Sequence, residues 1–129
     1  MTYFTPHIED IRVSYEYEYS LGTNDGPWNK VIIKSGLDID DFINDKSNNI
    51  PQRVPYLTKE QIEAEGWRLA VGEDYHVTLF RMGKYTLGYN WEKETLKIVT
   101  FEANCNILYN GECKDINTLR YITKLLNIK

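Results

Sequence analysis

The sequence predicts an α+β domain in which an antiparallel β-meander carries two to three helices, one of them C-terminal. Three observations lead there. Residues 11–19 alternate Ile11, Val13, Tyr15, Tyr17 and Tyr19 with Arg12, Ser14, Glu16 and Glu18, the period of two expected of a half-buried strand. Between 75 and 109, short β-branched and aromatic runs follow one another across tight-turn signals. Residues 116–126 place Ile116, Leu119, Ile122, Leu125 and Leu126 on one helical stripe. Sequential strands with short connections favour an antiparallel sheet with its helices on one face. A chain of 129 residues has enough apolar surface for one ordinary core, so 1–129 is expected to be a single domain.

Taken in order, the alternating strand at 11–19 is followed by a cluster of turn formers, Gly22, Asn24, Asp25, Gly26 and Pro27. Lys30-Val-Ile-Ile-Lys34 then reads as a returning strand, which makes the two a hairpin. Leu37–Ile43 reads as a short helix with Ile39, Phe42 and Ile43 on one face. Residues 44–55 are polar and contain Asn48-Asn49, Pro51 and Pro55, so they read as a loop and a candidate for mobility. Thr58 to Gly66 is a helix with legible ends: Thr58 and Gln61 form a capping box, and Gly66 suits the left-handed position after the last turn. Two turns are marginal alone, so Leu57, Ile62 and Trp67 should dock the helix on the core.

The sheet begins over Trp67–Val71. Tyr75–Met82 is a strand, Gly83-Lys84 a tight turn, and Tyr85–Trp91 a strand with Tyr85, Leu87, Tyr89 and Trp91 on one face. Glu92–Glu94 turns, Thr95–Phe101 returns, and Ile107–Tyr109 is a short last strand. Asp115 caps the final helix.

Charge is distributed unevenly. Residues 1–64 hold eleven acids and six bases, whereas 65–129 hold eight acids and nine bases. An acidic half argues against a free-standing nucleic-acid binder and fits docking onto a basic protein surface. No basic segment leads into an apolar stretch at the N-terminus, and no apolar run is long enough to cross a bilayer, so a soluble, cytoplasmic protein is expected. Cys105 and Cys113 sit eight positions apart with no paired C-x-x-C. His7 and His76 do not supply zinc-ligand spacing around them, and no metal or other cofactor is expected.

From residue 57 to 126 the chain resembles short phage and prophage proteins of Bacteroidota. The elements that carry the resemblance are Leu57-Thr58-Lys59-Glu60, the Gly66-Trp67 step, the aromatic meander, and the helix from Lys114 into Leu125-Leu126. The resemblance implies a small accessory protein made in an infected cell. Many such proteins inhibit host defences, among them anti-CRISPR proteins that bind an effector or its guide RNA. It implies no catalytic residue.

No G-x-S-x-G, H-E-x-x-H, Walker A or Rossmann pattern is present, so enzymatic activity is not expected. A small enzyme using His76, or His7, is one alternative, and a structural or homo-oligomeric phage accessory protein is another. Asp38, Asp40 and Asp41 form the densest carboxylate cluster. They miss the order of a calcium loop, and helix capping accounts for them, with Asp38 as N-cap. On the alternating strand, tyrosines facing the core would be structural, whereas tyrosines on an exposed edge would serve a partner. Arg68, Arg81, Lys84, Lys93 and Lys97 lie near Tyr85, Tyr89 and Trp91, which makes RNA contact a secondary expectation. Joined to the charge asymmetry, the resemblance implies a non-enzymatic inhibitor of a host defence ribonucleoprotein. Its expected docking residues are Tyr15, Glu16, Tyr17, Glu18, Asp38, Asp40 and Asp41, set against a nucleic-acid-binding surface.

Overall fold

The computed structural model describes residues 2–74, 76–101 and 106–128. Among the described residues are three α-helices and two antiparallel sheets, the α+β class expected, and the contacts divide the chain into two compact units, 1–56 and 57–129.

Unit 1 is built from β1 (Tyr3–Phe4), β2 (Glu16–Tyr19), β3 (Asn29–Ile32), helix α1 (Gly36–Ser47) and β4 (Gln52–Pro55). The sheet order is β1-β4-β2-β3, all pairs antiparallel. The hairpin is as expected, with Glu16 opposite Ile32 and Tyr19 opposite Asn29. Its first strand is shorter than the alternation suggests. Ser14 adopts a left-handed φ of 77°, and its N–H donates to the Ile33 carbonyl at 2.7 Å, so the extended run starts only after that turn. The core holds Tyr15, Tyr17, Ile33, Phe42 and Val54, and the Tyr17 and Phe42 rings meet edge to face at 5.1 Å.

The loop expected over 44–55 is corrected. Residues 44–47 complete α1, Asn49 turns the chain at φ 59°, and Gln52–Pro55 joins the sheet between β1 and β2. Pro55 is tolerated because it ends the strand, and Val54 points into the core. The N-cap of α1 is Ser35 rather than Asp38; Asp38 is its partner three residues on.

Unit 2 opens with α2 (Lys59–Ala64), whose capping box is the one the sequence shows. The Gln61 N–H donates to Thr58 Oγ1 at 3.2 Å, and the Thr58 N–H to Gln61 Oε1 at 3.1 Å. Gly66 follows at φ +100°, a conformation glycine adopts without strain. Strands β5 (Arg68–Asp74), β6 (Val77–Met82), β7 (Tyr85–Asn90), β8 (Thr95–Thr100) and β9 (Asn106–Glu112) then form a meander in chain order. Helix α3 (Ile116–Leu125) closes the unit.

One face of this sheet and the two helices enclose the core: Ile62, Trp67, Phe80, Leu87, Leu96, Ile98, Leu119 and their neighbours. Ile116, Leu119 and Ile122 are buried as the stripe requires, whereas Leu125 is exposed and Leu126 only half-buried at the fraying end. Cys113 is buried, and burial pushes its thiol up to about 12. Tyr75 and Cys105, both used in the sequence reading, lie outside the described residues.

Candidate binding surfaces

The residues expected to dock a partner separate into three environments within unit 1. Tyr15 and Tyr17 are 3% and 2% exposed and belong to the core, so they are unavailable as surface anchors. Burial, followed by the charges of Asp45, Asp41 and Asp38, pushes the Tyr17 phenol up to about 12. Strand alternation puts Glu16 and Glu18 on the opposite face. There each finds a cation: Glu16 Oε2 stands 3.3 Å from Lys30 Nζ, and Glu18 Oε1 accepts from Arg53 Nε at 2.6 Å. Arg53 is also stacked, its guanidinium carbon 3.7 Å from the centre of the Tyr3 ring and 4.0 Å from that of Trp28. Nothing in the spacing of Tyr3, Trp28 and Arg53 along the chain announces that cluster, because it depends on β4 lying between β1 and β2.

The third environment is helix α1. The Asp38 carboxylate accepts from the N–H groups of Lys34 (2.8 Å) and Ser35 (3.2 Å), so it is occupied in holding the helix start. Asp41 and Asp45 follow on the same stripe at i+3 and i+7. Asp40 and Asp41 are exposed. Burial, and after it the neighbouring Asp41 charge, raise the Asp45 carboxyl above its ordinary value. No cation pairs with Asp40, Asp41 or Asp45 among the described residues. Nor do any three His, Cys, Asp or Glu among the described residues stand together as metal ligands.

His7 precedes a single 3₁₀ turn (Ile8–Asp10) and is exposed. His76 occupies the turn between β5 and β6 at φ 67°, with Nε2 3.2 Å from Glu92 Oε2, and both side chains are well exposed.

In unit 2 the aromatic residues weighed for base stacking are engaged on the core side. Tyr89 is buried, and its hydroxyl donates to the Cys113 carbonyl at 2.6 Å. Trp91 Nε1 donates to Thr78 Oγ1 at 2.8 Å. The basic residues are divided: Lys84 and Lys93 sit at turns, whereas Arg68, Arg81 and Lys97 lie on the sheet face opposite the helices. That face carries an open groove of about 580 Å³. Leu79, Gly88 and Val99 floor it, Val71, Phe101 and Ile107 rim it, and Arg81, Lys97 and Thr86 supply its polar edge. A second hollow of about 520 Å³ shares Arg81 with it and adds Arg68. Sequence reasoning missed this groove, and its one local signal was Gly88 in the middle of a strand.

No family model matches the chain, and neither does any curated protein or solved structure.

Proposed function

We propose that the protein is a non-enzymatic binding protein that presents the acidic side of α1 to a basic protein surface. The carrying observation is the stripe of Asp41 and Asp45 beside exposed Asp40, in which no carboxylate has a described cationic partner. Bringing a cationic surface to such a stripe relieves like-charge repulsion and steers encounter. The docking set is narrower than the sequence suggests. It comprises Asp40, Asp41 and Asp45, with Asp38 fixing the helix start and Glu16 and Glu18 already neutralised within the sheet.

The finer reading is an inhibitor of a host defence ribonucleoprotein, acting by covering its nucleic-acid-binding surface. Its support is the resemblance of residues 57–126 to phage and prophage proteins and the basic character that any nucleic-acid channel must have. The test is capture by the tagged protein from a Bacteroidota host lysate, with and without nuclease. A defence effector retained in both samples, and lost with Asp40→Lys/Asp41→Lys, is the expected result. Retention by the reversed variant overturns the acidic-helix reading, and loss on nuclease treatment makes RNA the ligand. Absence of any partner favours the oligomer reading, or an enzyme whose turnover fails when His7 and His76 are replaced.

A further inference from the structure

The open face of the unit 2 sheet has a cross-strand arrangement that is unfavourable as it stands. Arg68 on β5 lies directly opposite Arg81 on β6. Like charges directly opposed across an antiparallel pair destabilise it. Among the described side chains no carboxylate pairs with either arginine, or with Lys97 on β8. The two guanidinium groups line adjoining hollows that meet at Arg81.

Beside them the surface turns apolar. The row through Arg81 continues as Thr86, Val99 and Ile107, and the next row runs Val71, Leu79, Gly88, Lys97. Gly88 is what keeps the second row low. A Cβ built there would stand 3.2 Å from Leu79 Cδ2, so any side chain at 88 would fill the trough. Val71, Phe101 and Ile107 stay 51%, 59% and 57% exposed along its rims. A volume of about 580 Å³ falls within the range of small-molecule sites, about 300–1,000 Å³. The site is thus an apolar trough with a double cation at one end.

We propose that this face binds a small anionic amphiphile, an alkyl chain ending in a carboxylate or phosphate. The oxyanion bridges Arg68 and Arg81, and the chain lies over Gly88 toward Val99 and Ile107. Planar guanidinium groups grip such oxyanions with paired hydrogen bonds. The anion also removes the Arg–Arg repulsion, which an uncharged ligand does not.

The test is calorimetric titration of the full chain with dodecanoate and with dodecyl phosphate below their micelle concentrations, with dodecanol as the uncharged control. Saturable binding at one ligand per chain is expected, at least about tenfold tighter for an anionic ligand than for dodecanol. The tighter of the two anions identifies the head group. Arg81→Gln should weaken binding about tenfold, and Gly88→Val should abolish it. Should valine at 88 disturb the sheet, Ile107→Asp at the exposed rim reads the same trough without touching the core. Equal affinity for dodecanol, indifference to Arg81→Gln, or no saturable binding overturns the proposal. A dimer seen by light scattering that Arg81→Gln dissolves assigns the face to a second copy and overturns it as well.

Discussion

On the face of the unit 1 sheet turned away from α1, charge is answered within the fold. Glu16 meets Lys30, Glu18 meets Arg53, and Arg53 lies between the Tyr3 and Trp28 rings. On the face of the unit 2 sheet turned away from α3, Arg68 opposes Arg81 with no described carboxylate paired to either, beside an apolar trough. The overall charges run the other way: residues 1–56 hold nine acids and five bases, and 57–129 hold ten of each. A balanced composition therefore leaves the more unbalanced surface. Pairing is settled by register and not by count, which is why charge sums locate a binding face poorly.

Each sheet is held by its core, with the outer faces contributing second-order terms. Phe42 is fully buried in unit 1 and Phe80 in unit 2. Phe42→Ala and Phe80→Ala should each cost about 3–5 kcal/mol in denaturant unfolding. A much smaller loss at Phe42 would mean that the paired outer face carries unit 1.

Alkaline pH separates the two cores next. Burial makes the folded chain hold the Cys113 proton more tightly, from an ordinary 9.0 to about 12, and the Tyr17 proton from 10.0 to about 12. Both pKa values are raised, so the stability they contribute is whole below the unfolded value and is lost as pH rises toward the folded one. Melting temperature should fall from about pH 9 in the native chain. Cys113→Ser keeps a donor for the Asp115 carbonyl and does not titrate there, so its decline should begin only near pH 10. Coincident curves would remove Cys113 from the account.

The most direct test of the two faces is a matched pair of substitutions. Arg53→Met removes a charged hydrogen bond and two ring contacts at a side chain only a quarter exposed, and should cost about 2 kcal/mol. Arg81→Met removes a repulsion, so thermal stability should stay within about 0.5 kcal/mol of the native value or rise slightly. Equal losses at both sites would show that the outer face of unit 2 is satisfied after all.

What the sequence made legible was local. The Thr58–Gln61 box, the Gly66 stop, the meander order and the α3 stripe each follow from residues a few positions apart. Strand β4 was misread because Asn48-Asn49, Pro51 and Pro55 are turn signals in isolation. Its place between β1 and β2 is decided by Val54 in the core and by pairings some fifty residues apart, Tyr3 with Pro55 and Phe4 with Val54. The alternation at 11–19 was overextended because the period says nothing of the left-handed turn at Ser14. The binding faces were the least legible part. Arg68 and Arg81 become neighbours only through the β5–β6 register, and Tyr15 and Tyr17 could not be assigned to core or surface before the helix that covers them was placed.

The smallest predicted effects distinguish a carboxylate that holds the fold from one that is free to dock. In unit 2, Thr58→Ala removes the acceptor for the Gln61 N–H and should cost about 1 kcal/mol. In unit 1, Asp38→Ala removes the acceptor for two N–H groups and should cost about the same. Asp38→Asn keeps an acceptor oxygen and gives up the charge, so its cost should fall to a few tenths of a kcal/mol, the loss of a helix-end interaction in solvent. Because that carboxylate is already committed to Lys34 and Ser35, Asp38→Asn should leave partner capture unchanged, whereas Asp40→Lys/Asp41→Lys abolishes it. Equal loss of capture in both variants would return Asp38 to the docking surface and make the acidic stripe one residue longer than its hydrogen bonds indicate.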